Sequence, residues 1–184
     1  MFFLWFRPKR AVRRKVFVSY HHAVDQPSYL EFVQRFATRF ETVTNRSIER
    51  EVDSERPEYV MRKIREEHIR GSSCIIVLCG RETPWRKYID WEIKAALDRE
   101  HCLIGINLPG NRARLEGKII VPGRLHDNIQ SGYAVWIQWP ELEKGPKYLQ
   151  KVIELACSKP KRLIDNRRPM RERNGSGIVA GRSL

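Results

Sequence analysis

The sequence predicts a three-layer α/β sandwich built on a mostly parallel five-stranded sheet. Strand-like and helix-like patterns alternate along the chain, which is the signature of parallel strands joined by helical crossovers. The runs Cys74-Ile75-Ile76-Val77-Leu78-Cys79-Gly80 and Cys102-Leu103-Ile104-Gly105-Ile106-Asn107-Leu108 are apolar almost throughout rather than alternating. Strands covered on both faces read that way. The length of 184 residues suits one domain with a substantial core.

Taken in order, Lys15-Val16-Phe17-Val18-Ser19-Tyr20 is the first strand, followed by a polar loop over 21–27. Ser28 and Glu31 have capping-box spacing and open a helix with Tyr29, Phe32, Val33, Phe36 and Phe40 on one stripe. Residues 42–48 are a weaker strand, and 49–56 a charged loop. Pro57 starts a second helix with Val60, Met61, Ile64 and His68 on one face, ended by Gly71. The strand at 74–80 follows. A helix over 83–97 comes next, with Thr83 as its N-cap and Pro84 in its first turn. After the strand at 102–108, residues 109–132 read as one long loop. A strand at 134–139 and a helix at 147–157 complete the domain. The organisation is thus a basic N-terminal extension (1–14), a folded domain (15–158) and a basic tail (159–184) expected to be disordered.

Composition narrows the function classes. The net charge is +13, but residues 1–15 carry six basic and no acidic side chains, and residues 159–184 carry eight basic and two acidic. Between them stand 21 basic and 20 acidic side chains, so the folded body is close to neutral. Charge confined to the ends argues against nucleic acid as the partner of the domain itself. There is no transmembrane segment, and the apolar start Met1-Phe2-Phe3-Leu4-Trp5-Phe6 lacks the flanks of a signal peptide. The four cysteines form no CxxC pair and sit in or beside apolar runs, which reads as reduced core thiols in a cytoplasmic protein. His21 and His22 are adjacent and point to opposite sides of an extended chain, so no metal centre is expected. No GxGxxG, Walker, GxSxG or HExxH motif is present.

One residue breaks the pattern of its own helix. At about 100° per residue, Trp85, Tyr88, Ile89, Trp91, Ile93, Ala95, Ala96 and Leu97 share an apolar arc, with Arg86, Lys87, Asp90, Lys94 and Asp98 opposite. Glu92 falls in the middle of that arc, where a carboxylate must be paired or line a cleft. In a parallel α/β sheet, ligands bind beyond the carboxyl ends of the strands. That rim gathers Ser19, Tyr20, His21 and His22 after the first strand, Asp53 after the second, and Trp91-Glu92 on the helix after the third. Glu92 is the catalytic candidate and the others are binding candidates. Tyr20, Trp85 and Tyr88 are available for stacking or for core packing.

These blocks also resemble a known family. The stretch Val16-Phe17-Val18-Ser19-Tyr20-His21-His22 with Asp25 is similar to the opening of the TIR-like domain of the Thoeris antiphage protein ThsB. Further blocks agree in order: Tyr59-Val60-Met61-Arg62-Lys63-Ile64-Arg65-Glu66, Ser72-Ser73-Cys74, Asp90-Trp91-Glu92-Ile93, Gly105-Ile106-Asn107-Leu108-Pro109-Gly110 and Pro122-Gly123-Arg124-Leu125-His126-Asp127-Asn128-Ile129. The resemblance spans roughly residues 15–157 and implies a flavodoxin-like TIR fold. It implies an NAD glycohydrolase or ADP-ribosyl cyclase type of enzyme, with Glu92 in the catalytic position and no cofactor beyond NAD as substrate. It further implies a cyclic ADP-ribose-type signal that activates a downstream effector, self-association, and a phage-derived trigger. The alternative reading is a non-catalytic TIR-like interaction module, and a third is a nucleotide-binding domain whose basic tails touch nucleic acid. Deleting residues 159–184 is expected to abolish salt-sensitive nucleic-acid binding in the third case and to leave a TIR activity intact.

Overall fold

Five short runs make the central sheet. The strands along the chain are β1 (Lys15–Ser19), β2 (Glu41–Val43), β3 (Cys74–Cys79), β4 (Cys102–Asn107), β5 (Ile120–Pro122), β6 (Val135–Gln138) and β7 (Gly181–Ser183). The computed structural model describes residues 14–36, 40–43, 56–111, 118–175 and 181–183. The sheet order is β2-β1-β3-β4-β6, with every neighbouring pair parallel. This is the flavodoxin-like doubly wound order, and the order reverses between β1 and β3. The alternation of side chains sorts the core into two halves. Val16, Val18, Cys74, Ile76, Leu78, Cys102, Ile104 and Ile106 face one apolar cluster, while Phe17, Ile75, Val77, Cys79 and Leu103 face the other.

Helices cover both faces. α1 (His22–Phe36) and α5 (Pro146–Cys157) close the first cluster. The second is closed by α2 (Pro57–Lys63), which runs on as a π-turn over Ile64–His68, by α3 (Lys87–Asp98) and by α4 (Gly123–Gln130). Buried Val60, Met61 and Ile64, and Leu149, Val152, Ile153 and Ala156, are among the inward positions that helical spacing selects.

Several elements differ from the sequence reading. α1 begins at His22 rather than Ser28: the His21 carbonyl accepts from the amides of Val24 and Asp25, and Pro27 sits inside the helix at the loss of one ladder bond. α3 begins at Lys87, because Thr83–Trp85 form a 3-10 turn first. The expected loop over 109–132 contains β5 and α4. Cys102 and Cys157 are joined in a disulfide, while Cys74 and Cys79 are free and buried. The pair is 55 residues apart in sequence, so no local spacing announces it. Residues 1–13, Asp53 and most of the second strand expected at 42–48 lie outside the described residues.

The largest correction concerns the tail. Over 159–175 it is a strap laid across α4 and α3, not a disordered extension. Its anchor is Arg124 of α4, whose side chain is 0 % exposed. Arg124 Nε and Nη2 donate to the two carboxylate oxygens of Asp90 on α3, at 3.0 and 3.3 Å. Its Nη1 donates to Asn166 Oδ1 at 2.7 Å and to the Asn166 carbonyl at 3.3 Å, and Nη2 also reaches the Pro169 carbonyl at 3.2 Å. Asn128 beside it pairs with the backbone of Asp165 in both directions. Arg168 holds Asp127 through two bonds, at 2.7 and 2.8 Å. Farther on, the strap caps the start of α3: Asn174 Oδ1 accepts from the Lys87 amide, and the Gly175 amide donates to the Trp85 carbonyl. β7 then pairs antiparallel with β5.

A buried ion pair that loses one partner is strongly destabilising. Arg124→Ala should therefore lower the unfolding free energy by about 3–5 kcal/mol. Urea denaturation measures this, and a loss below about 1 kcal/mol would contradict the buried pair. Truncation after residue 158 should be similarly damaging, so that deletion does not separate a nucleic-acid-binding tail from the domain.

Candidate active site

Glu92 is brought to the reversal point of the sheet by two independent features of the chain. It lies in the second turn of α3, among the apolar residues that face the sheet, and is 2 % exposed. Ser19 ends β1 and alternates onto the same face as Phe17, so its hydroxyl meets α3. Ser19 Oγ donates to Glu92 Oε2 at 2.5 Å. A short bond to a buried carboxylate fixes the orientation of both groups and offsets part of the cost of burying the charge.

The other candidates divide. Tyr20 alternates to the opposite face, where it stacks on Tyr29 with ring centroids 4.2 Å apart and donates to Gln26 Oε1. It belongs to the α1 cluster and is not on Ser19's face. His21 is the residue before α1 and is buried; among the described residues its Nδ1 has no hydrogen-bond partner. Burial first, and then the neighbouring Arg86 cation, pull its pKa down to about 4. His22 is half-buried and lies 5.8 Å from the Tyr20 ring. Trp91 is buried on the strap side of α3, where its Nε1 donates to the Arg171 carbonyl at 2.8 Å. Its ring meets Tyr88 edge-on. Asp53 lies outside the described residues. The structure thus joins Glu92 to Ser19, places His21 at the same rim, and turns Tyr20 and Trp91 to other work.

A second carboxylate completes the rim. Asp25, in the first turn of α1, accepts from Thr83 Oγ1 at 3.0 Å, and Thr83 Oγ1 accepts from the Gly80 amide at 2.9 Å. Burial pushes the Asp25 pKa up to about 6, against the opposing hydrogen bond from Thr83. Glu82 and Arg86 form an ion pair beside it. This latch ties the loop after β3, and so the approach to α3, to the first turn of α1. It also leaves no room at Gly80, where a Cβ would stand 2.1 Å from Asp25 Oδ1.

The sequence matches the family described as Thoeris protein ThsB, TIR-like domain, over residues 17–113. The chain belongs to that family. The match runs from within β1 through β4, takes in the Ser19–Glu92 pair and the Asp25 latch, and ends before α4 and the strap. No curated protein matches the chain. Among the described residues of this ThsB-family domain, no helix is long and apolar enough to cross a membrane.

Sequence reasoning passed over Thr83 and Asp25 as a pair, and Asp90 with Arg124. For Asp25 a signal existed: an acidic residue four positions after His21, in the first turn of a helix that begins earlier than the capping box suggests. For Arg124 there was none, since its partners lie 34 to 45 residues away.

Two outcomes follow from the titrating groups. His21 and His101 are both buried with pKa values lowered to about 4, by burial and by nearby cations. Their folded pKa lies below the unfolded one near 6.5, so their contribution is fully present above pH 6.5 and is lost as pH falls toward 4. Asp25 acts in the opposite sense between its ordinary value of 3.8 and about 6, one group against two. Urea midpoints should therefore fall on acidification from pH 7 to 4.5, and His101→Gln should flatten the slope. Separately, Gly80→Ala should cost about 1–3 kcal/mol by overpacking against Asp25, measured by thermal melting, with Gly80→Ala/Asp25→Ala recovering part of it.

Proposed function

We propose that this domain is an NAD-processing enzyme of antiphage defence that breaks the nicotinamide–ribose bond. The observation that carries the reading is Glu92, a carboxylate buried at the sheet's reversal point and aimed by Ser19. Departure of nicotinamide leaves an oxocarbenium-like ribose, and a fixed carboxylate in a place of low dielectric stabilises that charge and can hold the ribose hydroxyls. Ser19 is a positioning residue that sets the Glu92 rotamer. His21 supplies a neutral imidazole at the same rim at physiological pH. Exclusion of water favours attack by a nucleophile of the same molecule, giving a cyclic ADP-ribose-type product, whereas water gives linear ADP-ribose. In this reading NAD is substrate and no other cofactor takes part. The product is a diffusible signal for a partner effector. A phage-derived trigger and self-association set when the enzyme acts.

A second reading is favoured by the same hydrogen bond. Glu92 is satisfied inside the protein, as a structural carboxylate would be, and a non-catalytic TIR-like interaction module would keep it for that reason.

Mass spectrometry of NAD incubated with the protein, alone and with infected-cell lysate, separates the two. The enzyme reading expects nicotinamide release that Glu92→Gln lowers by at least about 100-fold, with the variant still folded. Ser19→Ala should act in the same direction with a smaller effect. Intact NAD under every condition, from folded wild-type protein, favours the interaction module.

A further inference from the structure

Three sulfur atoms that are scattered in the sequence share one place in the fold. Cys74 opens β3, and Cys102 opens β4 directly opposite it in the parallel register. Cys157 is the last residue of α5 and packs against the same cluster from above. The three Sγ atoms all lie within 4.8 Å of one another. Cys74 and Cys102 are buried, and Cys157 is half-buried at the helix end. Two of the three are joined as a disulfide and the third is a thiol.

We propose that, once the Cys102–Cys157 disulfide is reduced, Cys74, Cys102 and Cys157 hold one soft d10 ion of the Cu+ class in trigonal all-sulfur coordination.

The donor set selects the ion. Thiolates favour Cu+ and Zn2+ over harder cations. Zinc in a structural site takes four ligands, and among the described residues no His, Asp or Glu joins the three cysteines. A three-coordinate soft ion is the remaining match. Metal–sulfur bonds of about 2.3 Å around a central ion put the sulfurs about 4 Å apart, within the span the fold already sets. Only the bonded pair has to open, and Cys157 at the end of α5 can do so by a side-chain rotation.

The electrons and protons balance simply. A thiol reductant of the glutathione class supplies two electrons and two protons, breaks the S–S bond and leaves two thiols. The ion then displaces the thiol protons, up to three in all, as metal binding to cysteine requires. Arg14 and Lys161 stand near enough to Cys74 for their charge to be felt at its sulfur. Those two cations would also offset the surplus negative charge of three thiolates around a monovalent ion.

The test uses the full chain, reduced with a phosphine under anaerobic conditions and titrated with Cu+ against bicinchoninate. One equivalent of Cu+ retained, with near-ultraviolet sulfur-to-copper absorption and a one-ion mass by native mass spectrometry, is the expected result. Cys74→Ser and Cys157→Ala should each weaken retention by more than about tenfold, while Cys79→Ala, at the far end of β3, leaves it unchanged. No Cu+ held against the competitor overturns the proposal, as does retention that survives loss of Cys74. If Cys74→Ser does not fold by circular dichroism, the half-buried Cys157→Ala decides. None of these readouts involves NAD, so failure here and failure of the enzymatic reading are separate results.

Discussion

The guanidinium of Arg124 is the interaction on which the second face of the molecule depends. A fully buried cation is tolerable only when its donors are satisfied and its charge is matched. Arg124 meets both conditions by drawing together Asp90 of α3, its own helix α4, and the carbonyls of the strap. Each partner needs the others. Asp90 without Arg124 is a buried carboxylate that has lost its ion-pair partner, and the strap without Arg124 loses the donors for its Asn166 and Pro169 carbonyls. The Arg171 amide, which also donates to Asp90 at 2.9 Å, closes the ring.

That arrangement bears directly on Glu92. α3 is held on its strap side by Arg124, Arg171 and Asn174, and Ser19 holds Glu92 on the sheet side. The helix is thereby fixed in rotation between two sets of polar contacts, with apolar packing from Ile89, Ile93 and Ala96 between them. The latch of Asp25, Thr83 and Gly80 secures the turn just before it. A catalytic group needs this kind of support, because its own rotamer is only as fixed as the element that carries it.

What the sequence made legible was periodicity. Four of the five sheet strands follow from apolar runs, whereas β2, Glu41-Thr42-Val43, only overlaps the weaker candidate, and Glu92 stands out because helical spacing puts it among tryptophans and isoleucines. The pairing of Glu92 with Ser19 follows from the alternation along β1, which also explains why adjacent Tyr20 is turned away. The same rule carried too far misplaced Asp90: it falls on the polar arc of α3, but the strap covers that arc and buries it. The strap itself could not be read, since a run of Arg, Asn and Pro without periodicity has the composition of a solvated tail, and only a buried arginine 40 or so residues upstream gives it a place. The disulfide and the third cysteine were hidden for the same reason, as contacts between ends of elements far apart in the chain.

The strap also sets when the domain can be complete. Trp91, Asp90 and Lys87 find partners 80 to 87 residues later in the chain. During synthesis, α3 and its glutamate emerge well before residues 166–175, so a nascent chain carries the helix with Asp90 and Arg124 still lacking their final partners. The part that seats the helix leaves the ribosome some 80 residues after the helix itself. Any fragment that ends before the strap, whether from an early stop or a proteolytic cut, presents the residues of the site without the clamp that holds them, and the finished arrangement belongs only to chains translated through to it.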